Sequence, residues 1–82
     1  MPYYVYILRS LRDQKHYIGS SSDVNARLNF HNAGLQRSTC NRIPFIIILY
    51  EEYGSKKEAL KREKQIKSWK GGNAFQKLIE GK

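Results

Sequence analysis

Phe45-Ile46-Ile47-Ile48-Leu49-Tyr50 is the segment that most restricts what this chain can fold into. An unbroken apolar run of this kind, rich in β-branched residues, suits a strand buried on both faces and is too short for an ordinary helix. It is also far short of the ~20 apolar residues that cross a bilayer as a helix. It therefore predicts a buried central strand in a layered domain.

The neighbouring segments supply the other layers. Tyr3 to Leu8 is aromatic and β-branched and reads as a strand with Tyr4, Tyr6 and Leu8 on one face. A polar stretch, Arg9 to Gln14, follows with Asp13 as a turn former, and Lys15 to Gly19 reads as a second strand, so the pair is an antiparallel hairpin. Ser20-Ser21-Ser22-Asp23 offers several N-cap residues to a helix carrying Val24, Leu28 and Phe30. That helix ends at Gly34, with Leu35 placed to add the apolar contact common beyond such a cap. Gln36 to Pro44 is a polar loop. Ser55 and Glu58 form a capping box for a helix to Trp69, with Ala59, Leu60, Glu63, Ile66 and Lys67 near one face. Gly71-Gly72 breaks it, and Asn73 caps a last short helix carrying Phe75, Leu78 and Ile79. The order β-β-α-β-α-α predicts an α/β (α+β) fold, a small, mostly antiparallel three-stranded sheet flanked by helices, with residues 1–82 as one domain.

Charge narrows the partners. The formal net charge is +8 and the sequence pI is near 9.8. Residues 55–82 hold nine Lys/Arg against three Glu, so the basic excess lies in the C-terminal helical region. Nucleic acid is the expected partner, contacted through Arg27, Lys61, Arg62, Lys64, Lys67 and Lys70. No basic stretch precedes a long apolar one, and Cys40 is the only cysteine. A secretory signal, an intramolecular disulfide and a membrane association are therefore not expected, and the expected location is cytoplasmic.

Six residues could carry chemistry together. Tyr6 and Tyr17 lie on adjacent antiparallel strands and fall in one cross-strand neighbourhood if they share a face. Gly19 is on the same face as Tyr17, and its missing side chain leaves room for a phosphate. Arg27 and His31 are four residues apart and stack on one side of the first helix, beside the Val24–Leu28 stripe. Arg donates a planar pair of hydrogen bonds suited to a phosphodiester, and His exchanges a proton near neutral pH. Glu63 is one carboxylate in a basic helix, which suits a hydrated magnesium ion. Taken singly, each has an ordinary role: tyrosines in a core, a turn glycine, a Glu63–Lys67 pair one helical turn apart.

Taken together, Tyr4-Val5-Tyr6, Tyr17-Ile18-Gly19, Arg27-x-x-x-His31 and the helical Ala59-Leu60-Lys61-Arg62-Glu63 resemble the GIY-YIG nuclease superfamily. The likeness is to its small single-domain members, which are related to the nuclease domain of an excinuclease. It spans essentially residues 3–80. The second half of the signature is intact, whereas the first keeps its tyrosine and replaces the glycine and isoleucine. The resemblance implies hydrolysis of DNA phosphodiester bonds with one divalent metal, Mg2+ or Mn2+, held by Glu63. Arg27 would neutralise the scissile phosphate. Tyr6 or His31 would be the general base, and Tyr17 an orienting hydroxyl. Asn73 is the candidate for the family's asparagine beyond the glutamate helix, with a helix cap as its other role. The expected enzyme is a structure-selective endonuclease linked to DNA repair or processing, its specificity coming from nucleic-acid shape, a protein partner or a homodimer. The alternative is a nucleic-acid-binding module on the same fold without turnover.

Overall fold

The computed structural model describes residues 2–37 and 39–80. Strands β1 (Tyr3–Ser10) and β2 (His16–Ser21) form the hairpin, followed by helix α1 (Val24–Asn32), strand β3 (Phe45–Tyr53), and helices α2 (Lys56–Trp69) and α3 (Asn73–Glu80). The strands make one antiparallel sheet in the order β2-β1-β3. The architecture is the α+β arrangement expected, with one difference at its centre.

β1, not β3, is the central strand. Val5, Tyr6, Ile7 and Leu8 are all buried, so β1 faces a core on both sides. Phe45–Tyr50 forms an edge, where Ile46, Ile47 and Ile48 are half-buried and Tyr50 is exposed. Local apolarity cannot distinguish these positions, because a strand covered by helices on two faces stays apolar whether or not its second edge is paired.

Two cores result. On one face Val5, Ile7, Ile18 and Leu49 meet Ala59 and Ile66 of α2 and Phe75 of α3. On the other Tyr6, Leu8 and Phe45 pack with Tyr17, Ile47 and α1 through Val24 and Leu28. A register irregularity between Ile7 and Leu8 makes this division possible: Ile7 pairs with Leu49, but Leu8 pairs with Ile47. The extra residue, Ile48, reverses the alternation of β3. Leu49 thus serves the α2 face while Ile47 and Phe45 turn to the α1 face.

The ends of α1 and the start of α2 follow their local signals, whereas Asn73, expected as a cap, is the first residue of α3 itself. Asp23 accepts from the Ala26 amide at the start of α1, and Ser55 accepts from the Glu58 amide at the start of α2. Past α1, Gly34 adopts φ 77°, its amide donates to the His31 carbonyl, and the Leu35 amide donates to the Phe30 carbonyl. This is the Schellman pattern, which needs a residue free of Cβ strain at Gly34. The Leu35 side chain does not add the expected apolar contact, since it is 66% exposed. Leu60 likewise leaves the predicted stripe of α2 and is exposed, while Ala59 and Ile66, seven residues apart, make its buried line.

Candidate active site

The hairpin register brings the first pair together. Tyr6 is opposite Gly19 and Leu8 is opposite Tyr17, so Tyr6 and Tyr17 are diagonal neighbours on the α1 face, with ring centroids 6.5 Å apart. Gly19 leaves space, but not for a phosphate: a Cβ there would lie 2.5 Å from Tyr6 Oη and 2.7 Å from Tyr6 Cζ. The Tyr6 phenol itself fills the gap. The expectation that a phosphate enters beside Tyr17 is corrected on this point, because the empty volume is already occupied by an aromatic ring.

α1 lays His31 over this pair. His31 is fully buried, its ring centred 4.7 Å from Tyr17 and 6.4 Å from Tyr6. Its Nε2 lies 3.4 Å from Tyr6 Oη and its Nδ1 lies 3.0 Å from Thr39 Oγ1. Asn32 clamps this end of α1 to the sheet: Asn32 Nδ2 donates to the Phe45 carbonyl at 3.1 Å, and the Phe45 amide donates to Asn32 Oδ1 at 2.7 Å. An amide side chain here stands in for a strand partner at the unpaired edge of β3.

Arg27, one turn before His31, stacks on Phe30 at 4.4 Å and borders the Tyr6 hydroxyl. Burial pushes the Tyr6 phenol up to about 12; Arg27 opposes that rise, while Tyr17 and Glu63 add to it. Burial holds His31 below its ordinary value, and the Arg27 charge lowers it further. At neutral pH the pair is a neutral phenol beside a neutral imidazole.

Glu63 comes from the other side of the sheet. Ser20 follows Gly19, points to the α2 face, and donates from Oγ to Glu63 Oε1 at 2.6 Å. Lys67 approaches Glu63 Oε2 at 2.7 Å. The Glu63 side chain is 15% exposed, at the outer edge of β2 and within electrostatic reach of Tyr6. The carboxylate therefore reaches the rim of the tyrosine–histidine cluster around a strand edge. One carboxylate with a serine hydroxyl fits a hydrated magnesium, which takes one or two protein carboxylates and fills its shell with water and phosphate oxygens. Among the described residues no group of three or more His, Cys, Asp or Glu is gathered for a metal. A fully protein-built cage is thus a poor fit, and a rim ion shared with substrate is a good one.

The basic residues divide. Lys61 and Lys64 are exposed beside Gln65 and Ser68 on the outer face of α2. Arg62, expected on nucleic acid, is instead committed inside the protein. Its Nε and Nη2 donate to the two oxygens of Glu51 at 2.9 and 3.2 Å, and its guanidinium stacks over Trp69 at 5.1 Å. Glu51 is the physical reason, as a carboxylate on the adjacent strand accepts the planar fork bidentately. Lys70 donates to the His16 carbonyl at 2.7 Å. Burial and then the Arg42, Lys67 and Lys15 charges hold its ammonium below the usual value, which marks a positive cluster built from hairpin, loop and helix. Asn73 is exposed in the first turn of α3. That helix packs Phe75 on His16, at the end of β2 away from Ser20.

The sequence model of the GIY-YIG catalytic domain matches residues 2–76. The chain belongs to the GIY-YIG family. A UPF0213 protein of Staphylococcus epidermidis is 38% identical over 80 residues, covering 96% of each chain. One from Staphylococcus aureus is 41% identical over 68 residues, covering 82% of each. The solution structure of the UPF0213 protein BH0048 from Bacillus halodurans superposes with a TM-score of 0.63 at 31% identity, covering 100% of this chain and 86% of that one. GIY-YIG is a nuclease family, which implies a nucleic-acid substrate, and its nucleases generally depend on a divalent metal. No helix among the described residues is long and apolar enough to cross a membrane.

Two residues of the GIY-YIG cluster escaped sequence reasoning. Ser20 was legible only as one of several N-cap residues, and Thr39 as part of a polar loop. The spacing of Ser20 from Glu63 and of Thr39 from His31 carries no periodic signal, so only the folded chain pairs them.

Proposed function

We propose that this GIY-YIG protein is a metal-dependent endonuclease that hydrolyses DNA phosphodiester bonds. The observation that carries this reading is the buried contact of 3.4 Å between Tyr6 Oη and His31 Nε2, bordered by Arg27 and with Glu63 at its rim. A water held by the Tyr6 hydroxyl attacks phosphorus, and its proton passes to the Tyr6–His31 pair as the phosphorus–oxygen ester bond breaks. A phenol pushed up to about 12 is a weak acid, so it hands its proton on only if a neutral base stands beside it. His31, held neutral by burial, meets that need. Arg27 neutralises charge gathering on the phosphate, and Tyr17 orients the water. Glu63, with Ser20, would hold Mg2+ or Mn2+, which supplies positive charge to the leaving oxygen.

Lys15, Lys67 and Lys70 form a positive surface that meets Glu63 at Lys67, while Arg42 beside them is paired with Asp13 at 3.1 Å. Such a surface grips phosphates without reading bases. We read the cleavage as structure-selective, serving DNA repair or processing in the cytoplasm, with a homodimer or protein partner adding specificity. The test is incubation with plasmid and with branched and single-stranded oligonucleotides in magnesium or manganese. The expected result is metal-dependent nicking that is lost in Glu63→Ala and Arg27→Ala. A second reading, a binding module without turnover, draws support from Lys67, which already sits 2.7 Å from Glu63 where a cation would stand. Salt-sensitive binding with no cleavage above that of the two variants would establish it.

A further inference from the structure

The loop between α1 and β3 places one buried hydroxyl behind the imidazole. Thr39 is 1% exposed, and its Oγ1 lies 3.0 Å from His31 Nδ1 and 3.3 Å from the Gln36 carbonyl. The Thr39 hydroxyl donates to the Gln36 carbonyl, which also accepts the Thr39 amide at 3.1 Å, and with its single proton used there the lone pairs of Oγ1 face His31. Nδ1 must then carry the ring proton. On the opposite side of the ring, Tyr6 keeps its phenolic proton and has Nε2 within reach. Both constraints select one arrangement: Tyr6 O–H to Nε2, Nδ1–H to Thr39, Thr39 O–H to the Gln36 carbonyl. A 3₁₀ turn, Cys40–Arg42, begins directly after Thr39 and anchors the loop, its Arg42 amide donating to the Thr39 carbonyl at 2.9 Å.

We propose that Thr39 is a positioning residue that fixes His31 as the Nδ1–H tautomer, so that Nε2 is open to accept the Tyr6 proton. Thr39 touches no substrate and acts through the imidazole. This inference rests on the reading of Tyr6 and His31 as the pair that handles the proton. In the other tautomer Nε2 bears hydrogen, has no free lone pair for the phenol, and the transfer is blocked. The hydroxyl has a further effect during reaction. When His31 gains the Tyr6 proton, its Nδ1–H remains hydrogen-bonded, and the buried imidazolium keeps a partner on that side.

The experiment reads the tautomer directly, so that it does not depend on cleavage. In a His16→Asn background His31 is the only histidine, since the chain has two. Long-range proton–nitrogen correlation spectra of the 15N-labelled protein then report which ring nitrogen is bare. Nε2 bare and Nδ1 protonated is the expected pattern for that background and for Thr39→Ser, whereas Thr39→Val shifts His31 toward Nε2–H. With a cleavable oligonucleotide, Thr39→Val lowers kcat by about 100-fold, the low end of what a positioned general base contributes, leaves KM unchanged, and Thr39→Ser restores most of the rate. A bare Nδ1 in the parent spectrum overturns the proposal, as does Thr39→Val with an unchanged tautomer. If Thr39→Val does not fold, the parent and Thr39→Ser spectra still decide. If the tautomer is as expected but no substrate is cleaved in any metal, the nuclease reading fails and the placement of the proton stands.

Discussion

Gly19→Ala adds one methyl group to the tightest point in the site. Its Cβ would lie 2.5 Å from Tyr6 Oη, 2.7 Å from Tyr6 Cζ and 3.2 Å from Tyr17 Cε2. Ordinary non-bonded carbons sit at about 3.5–4.0 Å, so the Tyr6 ring must retreat by roughly 1 Å. It has nowhere to go, being 1% exposed and packed between Tyr17 and His31. Overpacking of a rigid core costs about 1–3 kcal/mol, against a total of about 4–12 kcal/mol for a domain of this size. The melting temperature should fall by roughly 4–8 °C for each kcal/mol lost. The effect is steric rather than conformational, since among the described residues the glycines with left-handed backbone are Gly34 and Gly71. The assay is urea denaturation of Gly19→Ala, Tyr6→Leu and the double variant. Withdrawing the ring should make the added methyl nearly neutral, giving a coupling of about 1 kcal/mol or more. Additive losses, or a Gly19→Ala protein as stable as its parent, would refute the claim that this glycine exists to seat the Tyr6 phenol.

Further outcomes follow from the same contacts. Arg62→Ala should cost about 1 kcal/mol of stability through the Glu51 pair and leave the salt dependence of DNA binding unchanged. Lys61→Ala and Lys64→Ala should do the reverse, each lowering the slope of log affinity against log salt by about 1. Lys67→Ala removes a cation from Glu63 at a cost below about 0.5 kcal/mol, and should strengthen Mn2+ binding as read by electron paramagnetic resonance; weaker binding would mean that Lys67 supports the site. Stability should also depend on pH at both ends. His31 is held below 6.5 by burial and then Arg27, and His16 by burial and then Arg9, Lys70 and Arg42. The unfolded chain therefore takes up these protons first, so their contribution is full above about 6.5 and is lost as pH falls through the folded values. Tyr6 has the opposite sign: its contribution is full below 10.0 and is lost as pH rises toward about 12. Urea midpoints measured across each window check both directions, and a flat acid limb in His31→Asn would assign that limb to His31.

Most of the element order was legible because it rests on local rules. Asp23 and Ser55 cap their helices, Gly34 ends α1, and the alternation of Tyr4, Tyr6 and Leu8 puts a phenol on the α1 face. The motif elements around Tyr6, Tyr17, Arg27, His31 and Glu63 also stand in the sequence in order. What these residues touch was not legible. Gly19 reads equally well as space for a ligand or for a neighbour, and the register that aims Tyr6 into it is a property of the paired strands. Arg62 looks like its neighbours Lys61 and Lys64 until β3 sets Glu51 beside it.

Periodicity and capping are encoded within a few residues of chain, and from them the strands, helices and signature residues could be named in advance. Folding alone chose β1 as the middle of the sheet, turned Phe45 toward His31 by inserting Ile48, and brought Ser20 to Glu63 and Thr39 to His31. These pairings join residues with no regular spacing, and their energies come from burial and hydrogen bonds that exist only once the sheet, its two helical layers and the loop are assembled.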